Sequence, residues 1–231
     1  MINTIKINEK EFEMRPNTRR KRISVGIDST GIYYIAYPSQ FTHKMLNNAL
    51  KNETHMNKII PRIEKNFLQT EKHSYKEGET FLFSGFPYTL KYKKDDSIHP
   101  LELIGNSFFL SKNAIPLAYD LFEKWYARSL YAELNKILPY WTKTIEVQPL
   151  RINVKNVKTM WGSCSCKNNI TFSTRLALVP PELLEYVVVH ELCHLKEMNH
   201  SQEFWAKVAE YLPDYKIRRN TLKKNASLYR W

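Results

Sequence analysis

The feature that leaves this chain fewest choices is a run of ionisable side chains inside an apolar helix. It reads His190-Glu191-Leu192-Cys193-His194-Leu195-Lys196-Glu197-Met198-Asn199-His200. Pro180-Pro181 stands ahead of it, and Leu184, Val188, Leu192 and Leu195 recur at helical spacing, so the segment reads as a helix opened by proline with one apolar stripe. On such a helix His190 and His194 lie about 40° apart around the axis and roughly 6 Å apart along it. Two imidazoles so placed can converge on one ion, with Zn–N distances of about 2.0–2.1 Å. Glu191 follows the first of them, where it can hold a water rather than bind the ion, which is the H-E-x-x-H pattern of zinc hydrolases.

Two residues compete to be the third ligand. If the helix ran on, His200 would point about 240° around from His194, so the helix has to stop between them. Asn199, which tolerates a left-handed backbone, is the expected stop. Ser201 would then cap the next helix, with Gln202 and Glu203 in its first turn. Glu210, further along that helix, is the rival; His200 is preferred. Chance can place H-E-x-x-H on a helix, but two histidines and an acid on a strongly apolar one are hard to explain as packing. Three protein ligands leave a position for water, whereas a purely structural zinc is usually closed by four. Cys164, Cys166 and Cys193 lack the close pairing of a thiolate site and read as small buried residues. Trp161, Trp205 and Trp231 read as packing.

The rest of the chain is organised more loosely. Residues 22–27 and 32–37 read as a hairpin around Asp28-Ser29-Thr30-Gly31, and 39–69 as two helices broken near Asn52-Glu53-Thr54, with Pro61 in the second. Residues 80–94 and 101–111 read as strands with turns at Gly85-Phe86-Pro87 and Gly105-Asn106. Residues 117–138 form an amphipathic helix, with strands at 145–155 and 169–174 and short helices over 202–211 and 214–226. A boundary near residue 112 separates a β-rich N-terminal region with helices (1–112) from a catalytic part (113–231).

Composition narrows the class further. No run approaches about 18 apolar residues, so no membrane-spanning helix and no membrane partner are expected. The first twenty residues carry no apolar signal core, and three cysteines make no disulfide framework, so a reduced, cytoplasmic protein is expected. Thirty-five Lys+Arg against twenty-three Asp+Glu give a formal charge of +12, which favours anionic partners. Arg19-Arg20-Lys21-Arg22 and the basic tail after Asp214 would suit nucleic acid. No glycine pattern fits a nucleotide-cradling loop.

Trp161-Gly162-Ser163-Cys164, Asn169-Ile170, Pro180, Tyr186 through Leu195, Asn199-His200-Ser201 and Phe204-Trp205 together resemble the YgjP-like metal-dependent hydrolases, zincins akin to the SprT-like metalloproteases. The resemblance is strong over 117–231. It implies an α+β fold with a zincin-like core: 117–138 as backing helix, a small sheet whose edge strand is 168–174, and the H-E-x-x-H helix beneath. Metzincins have glycine where Glu197 stands, so this backbone has to turn without it. The implied activity is a zinc-dependent metallopeptidase holding one zinc ion per chain at His190, His194 and His200. Glu191 would be its general base, its substrate a peptide or protein, and Tyr215, Arg218 or Arg219 its oxyanion stabiliser. Two alternatives stand beside it: a metal-dependent nucleotide pyrophosphatase, also associated with the family, and a nucleic-acid-associated module with a structural metal.

Overall fold

Residues 117–138 carry their apolar side chains at three- and four-residue intervals, and in the computed structural model all but the first belong to a helix that runs on to residue 145. The structure describes residues 4–28, 31–50, 53–68, 73–94 and 98–231. They fall into two compact units, Met1–Glu71 and Lys72–Trp231. Among the described residues no helix is long and apolar enough to cross a membrane.

In the first unit β1 (Thr4–Ile7), β2 (Lys10–Asn17), β3 (Ser24–Ile27) and β4 (Tyr33–Pro38) form one sheet in the order β1-β2-β4-β3. The expected hairpin is β3–β4, paired antiparallel from Ser24↔Ala36 to Ile27↔Tyr33; Ser29 and Thr30 in its turn lie outside the described residues. The first two strands escaped the sequence reading because Lys10–Asn17 carries mostly polar side chains. Helices α1 (His43–Leu50) and α2 (Glu53–Leu68) follow, α2 accommodating Pro61. A small core forms from Phe12, Ile35, Leu50, Met56 and Ile60.

The second unit begins with β5 (Thr80–Phe83), β6 (Phe86–Lys93), β7 (Leu101–Ile104) and β8 (Ser107–Ser111), ordered β5-β6-β8-β7. The β5–β6 turn is Ser84-Gly85, one residue earlier than expected and both at positive φ (51° and 84°), the conformation that a two-residue hairpin favours. After a 3-10 turn, Lys112–Leu117, comes α3 (Ala118–Ile145). It continues through Pro139 because Trp141 and Ile145 carry the buried stripe past the proline; Glu146 ends it in the left-handed conformation. Residues 145–150 are therefore helix end and loop, and the strand expected from 145 starts at 151.

The boundary expected near residue 112 falls inside this second unit, for a physical reason. The Ser84 and Gly85 N–H groups donate to the carbonyls of Ala177 and Leu178, at 2.8 and 3.0 Å. Tyr126 on α3 donates its hydroxyl to the Leu82 carbonyl at 2.7 Å, and Phe81 stacks on Phe122 at 4.2 Å. A methyl group at Gly85 would sit 2.8 Å from Pro180, so only glycine lets the hairpin approach there.

The remaining elements are β9 (Arg151–Lys155), β10 (Gly162–Cys164), β11 (Asn169–Ser173), a 3-10 turn Thr174–Ala177, α4 (Pro181–Cys193), α5 (Gln202–Tyr211) and α6 (Tyr215–Lys224). The small sheet is ordered β10-β11-β9, β11 pairing antiparallel with β10 and parallel with β9. The expectation that 168–174 forms the edge is thus corrected: β11 is central, flanked on both sides, and β10 is the edge strand that packs on α4. The α4 helix is buried on nearly every side, with Leu183, Leu184, Tyr186, Val187, Val188, Val189, Leu192 and Cys193 all in the core, rather than along one stripe. The fold is α+β with a zincin-like core.

Candidate metal centre

A helix as buried as α4 places any polar side chain at a cost unless the side chain finds a partner. His190 and Glu191 lie in its last turn, and His194 follows as its C-cap. The helix ends at Cys193, earlier than the Asn199 stop expected. The chain leaves it through a tight turn in which Leu195 bonds the Leu192 carbonyl and Lys196 and Glu197 both bond the Cys193 carbonyl. No residue between 194 and 201 has positive φ, so the turn is made without glycine and without the left-handed conformation. Ser201 then caps α5 as expected, its hydroxyl accepting from the Phe204 N–H at 3.3 Å.

This path brings His200 back onto the helix end. The ligand atoms of His190, His194 and His200 all lie within 4.8 Å of one another, and the Nε2 atoms of His190 and His200 are 3.0 Å apart. Glu210 stays exposed on α5 and is not part of the cluster. A carbonyl only accepts, so the 2.9 Å contact between His194 Nδ1 and the Glu197 carbonyl puts a proton on Nδ1 and makes Nε2 the nitrogen that can face an ion. Burial, followed by the neighbouring His194, His200 and Arg219, lowers His190 to about 3, so its ring is neutral. His200 is lowered as well, burial first. Three imidazoles converging in this way fit a zinc-type ion by donor chemistry.

Glu191 is 4% exposed, and its Oε2 is buried without a hydrogen-bond partner among the described residues. Burial raises it to about 8. Its carboxylate lies against β10, where a methyl group on Gly162 would come 2.5 Å from Oε1 and 2.7 Å from Cγ and Cδ. The glycine of the Trp161-Gly162-Ser163-Cys164 segment is therefore needed for space. Cys164, on the same face of β10 as Gly162, is half-buried; burial and then Glu191 raise its thiol. Cys193 is buried as expected, but Cys166 is exposed, because it lies in the turn beyond β10.

The sequence reading missed what surrounds the cluster. Trp205, expected only as packing, stacks on His200 at 5.4 Å and on Tyr215 at 5.4 Å, and Arg219 sits 4.5 Å over its ring. Of the three side chains considered for charge stabilisation, Arg218 is bound to Glu185 at 2.6 Å and Asp214 at 2.9 Å, and Tyr215 is buried against Trp205. Arg219 is exposed. Next to Trp161, Arg175 is 8% exposed and donates to the carbonyls of Tyr229, Lys158 and Ala226 at 2.8–3.0 Å, with its guanidinium 4.2 Å over the Trp161 ring. Burial lowers it to about 10, and it remains charged at neutral pH.

A zincin-like core carrying three convergent histidines with a buried acid beside them defines a metal-dependent hydrolase. The chain belongs to the YgjP-like metallopeptidases: the family model described as YgjP-like, metallopeptidase domain, matches residues 21–225. Among solved structures, the metallopeptidase zymogen of Pyrococcus abyssi abylysin is similar at 23% identity, covering 39% of this chain and 93% of that one with a TM-score of 0.36. No curated protein matches the chain significantly.

Proposed function

We propose that the chain is a zinc-dependent metallopeptidase that cuts peptides or proteins with a water activated by Glu191. One observation carries the reading: three imidazoles converge within 4.8 Å, and the residue next to His190 in the chain, Glu191, has a buried carboxylate oxygen with no hydrogen-bond partner among the described residues. His190, His194 and His200 would hold the ion. When bound, zinc supplies Lewis acidity to the scissile carbonyl and acidifies the attacking water.

The chain's own residues do the rest. Glu191 takes the water's proton and delivers it to the leaving amine. Burial lifts its basicity toward neutrality, the range in which a general base works best. The His194 ring is held by the Glu197 carbonyl, so its coordinating nitrogen needs no reorientation. The β10 edge, three residues long and unpaired on its outer side among the described residues, would take an extended substrate by main-chain hydrogen bonds.

The test is elemental mass spectrometry of the purified chain beside His194→Ala, followed by peptide hydrolysis with Glu191→Gln. The expected result is about one zinc per chain, lost in the histidine variant, with cleavage lost in the glutamine variant while zinc stays. A wild-type chain that takes up no metal when zinc is supplied would overturn the reading, as would a Glu191→Gln variant that still turns over.

A further inference from the structure

Beside the histidine cluster lies a cleft of about 390 Å³ lined by Gln202, Trp205, Tyr215, Lys216, Arg219 and Asn220. Trp205 belongs to both places, one ring stacked on His200 and lining the cleft. No carboxylate is among these lining residues; their polar groups are two cations, two amides, a phenol and an indole N–H. The two adjacent arginines of α6 differ in employment. Arg218 is satisfied by Glu185, Asp214 and the Glu182 carbonyl. Arg219 has no carboxylate within 4 Å among the described residues, and Trp205 holds its guanidinium by its face alone. A guanidinium stacked this way keeps its in-plane N–H groups free and pre-oriented.

We propose that this cleft is a carboxylate-binding subsite in which Arg219, seated on Trp205, selects substrates bearing an acidic group close to the bond that is cut. The inference rests on the peptidase reading and adds the substrate's chemistry to it. A carboxylate can accept two parallel N–H bonds from the guanidinium, with Lys216 adding a second positive charge. The cleft volume suits one side chain with its flanking backbone. The carboxylate has two sources, an Asp or Glu side chain or a free peptide C-terminus, and the experiment separates them.

Binding is measured on the zinc-supplied Glu191→Gln chain by NMR, following the Trp205 indole N–H, assigned with Trp205→Phe. In the first arm the probes are acetylated and amidated tetrapeptides with a central Glu or its Gln isostere. In the second they are tetra-alanine peptides with a free or amidated C-terminus. In the third the probe is inorganic triphosphate. At low salt the acid should bind about fivefold tighter than its neutral isostere in at least one carboxylate arm, the order expected for an exposed ion pair. Arg219→Ala should bring that ratio to about one, while Arg219→Lys keeps part of it. Equal binding of acid and isostere in both arms overturns the proposal; so does Arg219-dependent binding of triphosphate alone. Failure of the peptidase reading appears elsewhere, as absence of cleavage of every peptide by the wild-type chain, because the binding ratio is read on a variant that does not turn over.

Discussion

At the scale of single residues the site depends on what is missing as much as on what is present. Gly162 offers no Cβ, and Glu191 fills that space. Gly162→Ala is expected to retain zinc, since all three histidines lie outside the contact, and to lower kcat for peptide cleavage about 100-fold by displacing the carboxylate roughly 1 Å. Side-by-side zinc content and steady-state kinetics check this; an unchanged kcat would show that Glu191 has room to spare. Glu191→Gln should cost about 10²–10⁴ in kcat, again with zinc retained. The clustering of His190, His194 and His200 was readable from residue type and spacing. The glycine was visible as a letter but not as a need, because the group that excludes a side chain there is 29 positions away.

At the scale of elements, α4 was legible because apolar periodicity, an opening proline and the histidine spacing agree. The edge strand was not. Gly162–Cys164 is three residues long, too short for alternation to register, and the edge assignment implied by the family resemblance fell instead on the more recognisable strand Asn169–Ser173. Helix α3 outran its expected end because burial of Trp141 and Ile145 overrode the proline. The approach to β10 is held by Arg175, whose guanidinium covers Trp161 and gathers the carbonyls of Lys158, Ala226 and Tyr229. Arg175→Ala leaves those carbonyls short of donors and opens a gap beneath Trp161. It should destabilise the fold by about 3 kcal/mol, read by urea unfolding, and expose the chain beyond residue 225 to limited proteolysis. A midpoint unchanged from wild type would mean that water replaces the guanidinium at no cost.

At the scale of the whole molecule each unit has its own hydrophobic core, and the complete histidine cluster lies in the second. Residues 72–231 should therefore fold alone with a cooperative thermal transition and take up one zinc. Residues 113–231, cut at the boundary that the sequence suggested, lose Phe81, Leu90, Phe108 and Leu110 from the core and should be insoluble or molten. Expression of the two pieces with near-UV circular dichroism and zinc analysis decides the matter; a well-folded 113–231 would make the β5–β8 sheet dispensable. The sequence could not show this, because the bonds that bind the sheet in are main-chain contacts of Ser84 and Gly85 to carbonyls 93 residues further on.

The alignment of His194 also comes from the main chain, since its acceptor is the carbonyl of residue 197 and not a side chain. Every amino acid carries that carbonyl. The chemical identity of residue 197 can therefore drift without disturbing the tautomer of the imidazole, and only a change in the path of the turn would do so. A designer wishing to retune the centre gains nothing by exchanging Glu197, and has to lengthen or shorten the 194–200 connection instead.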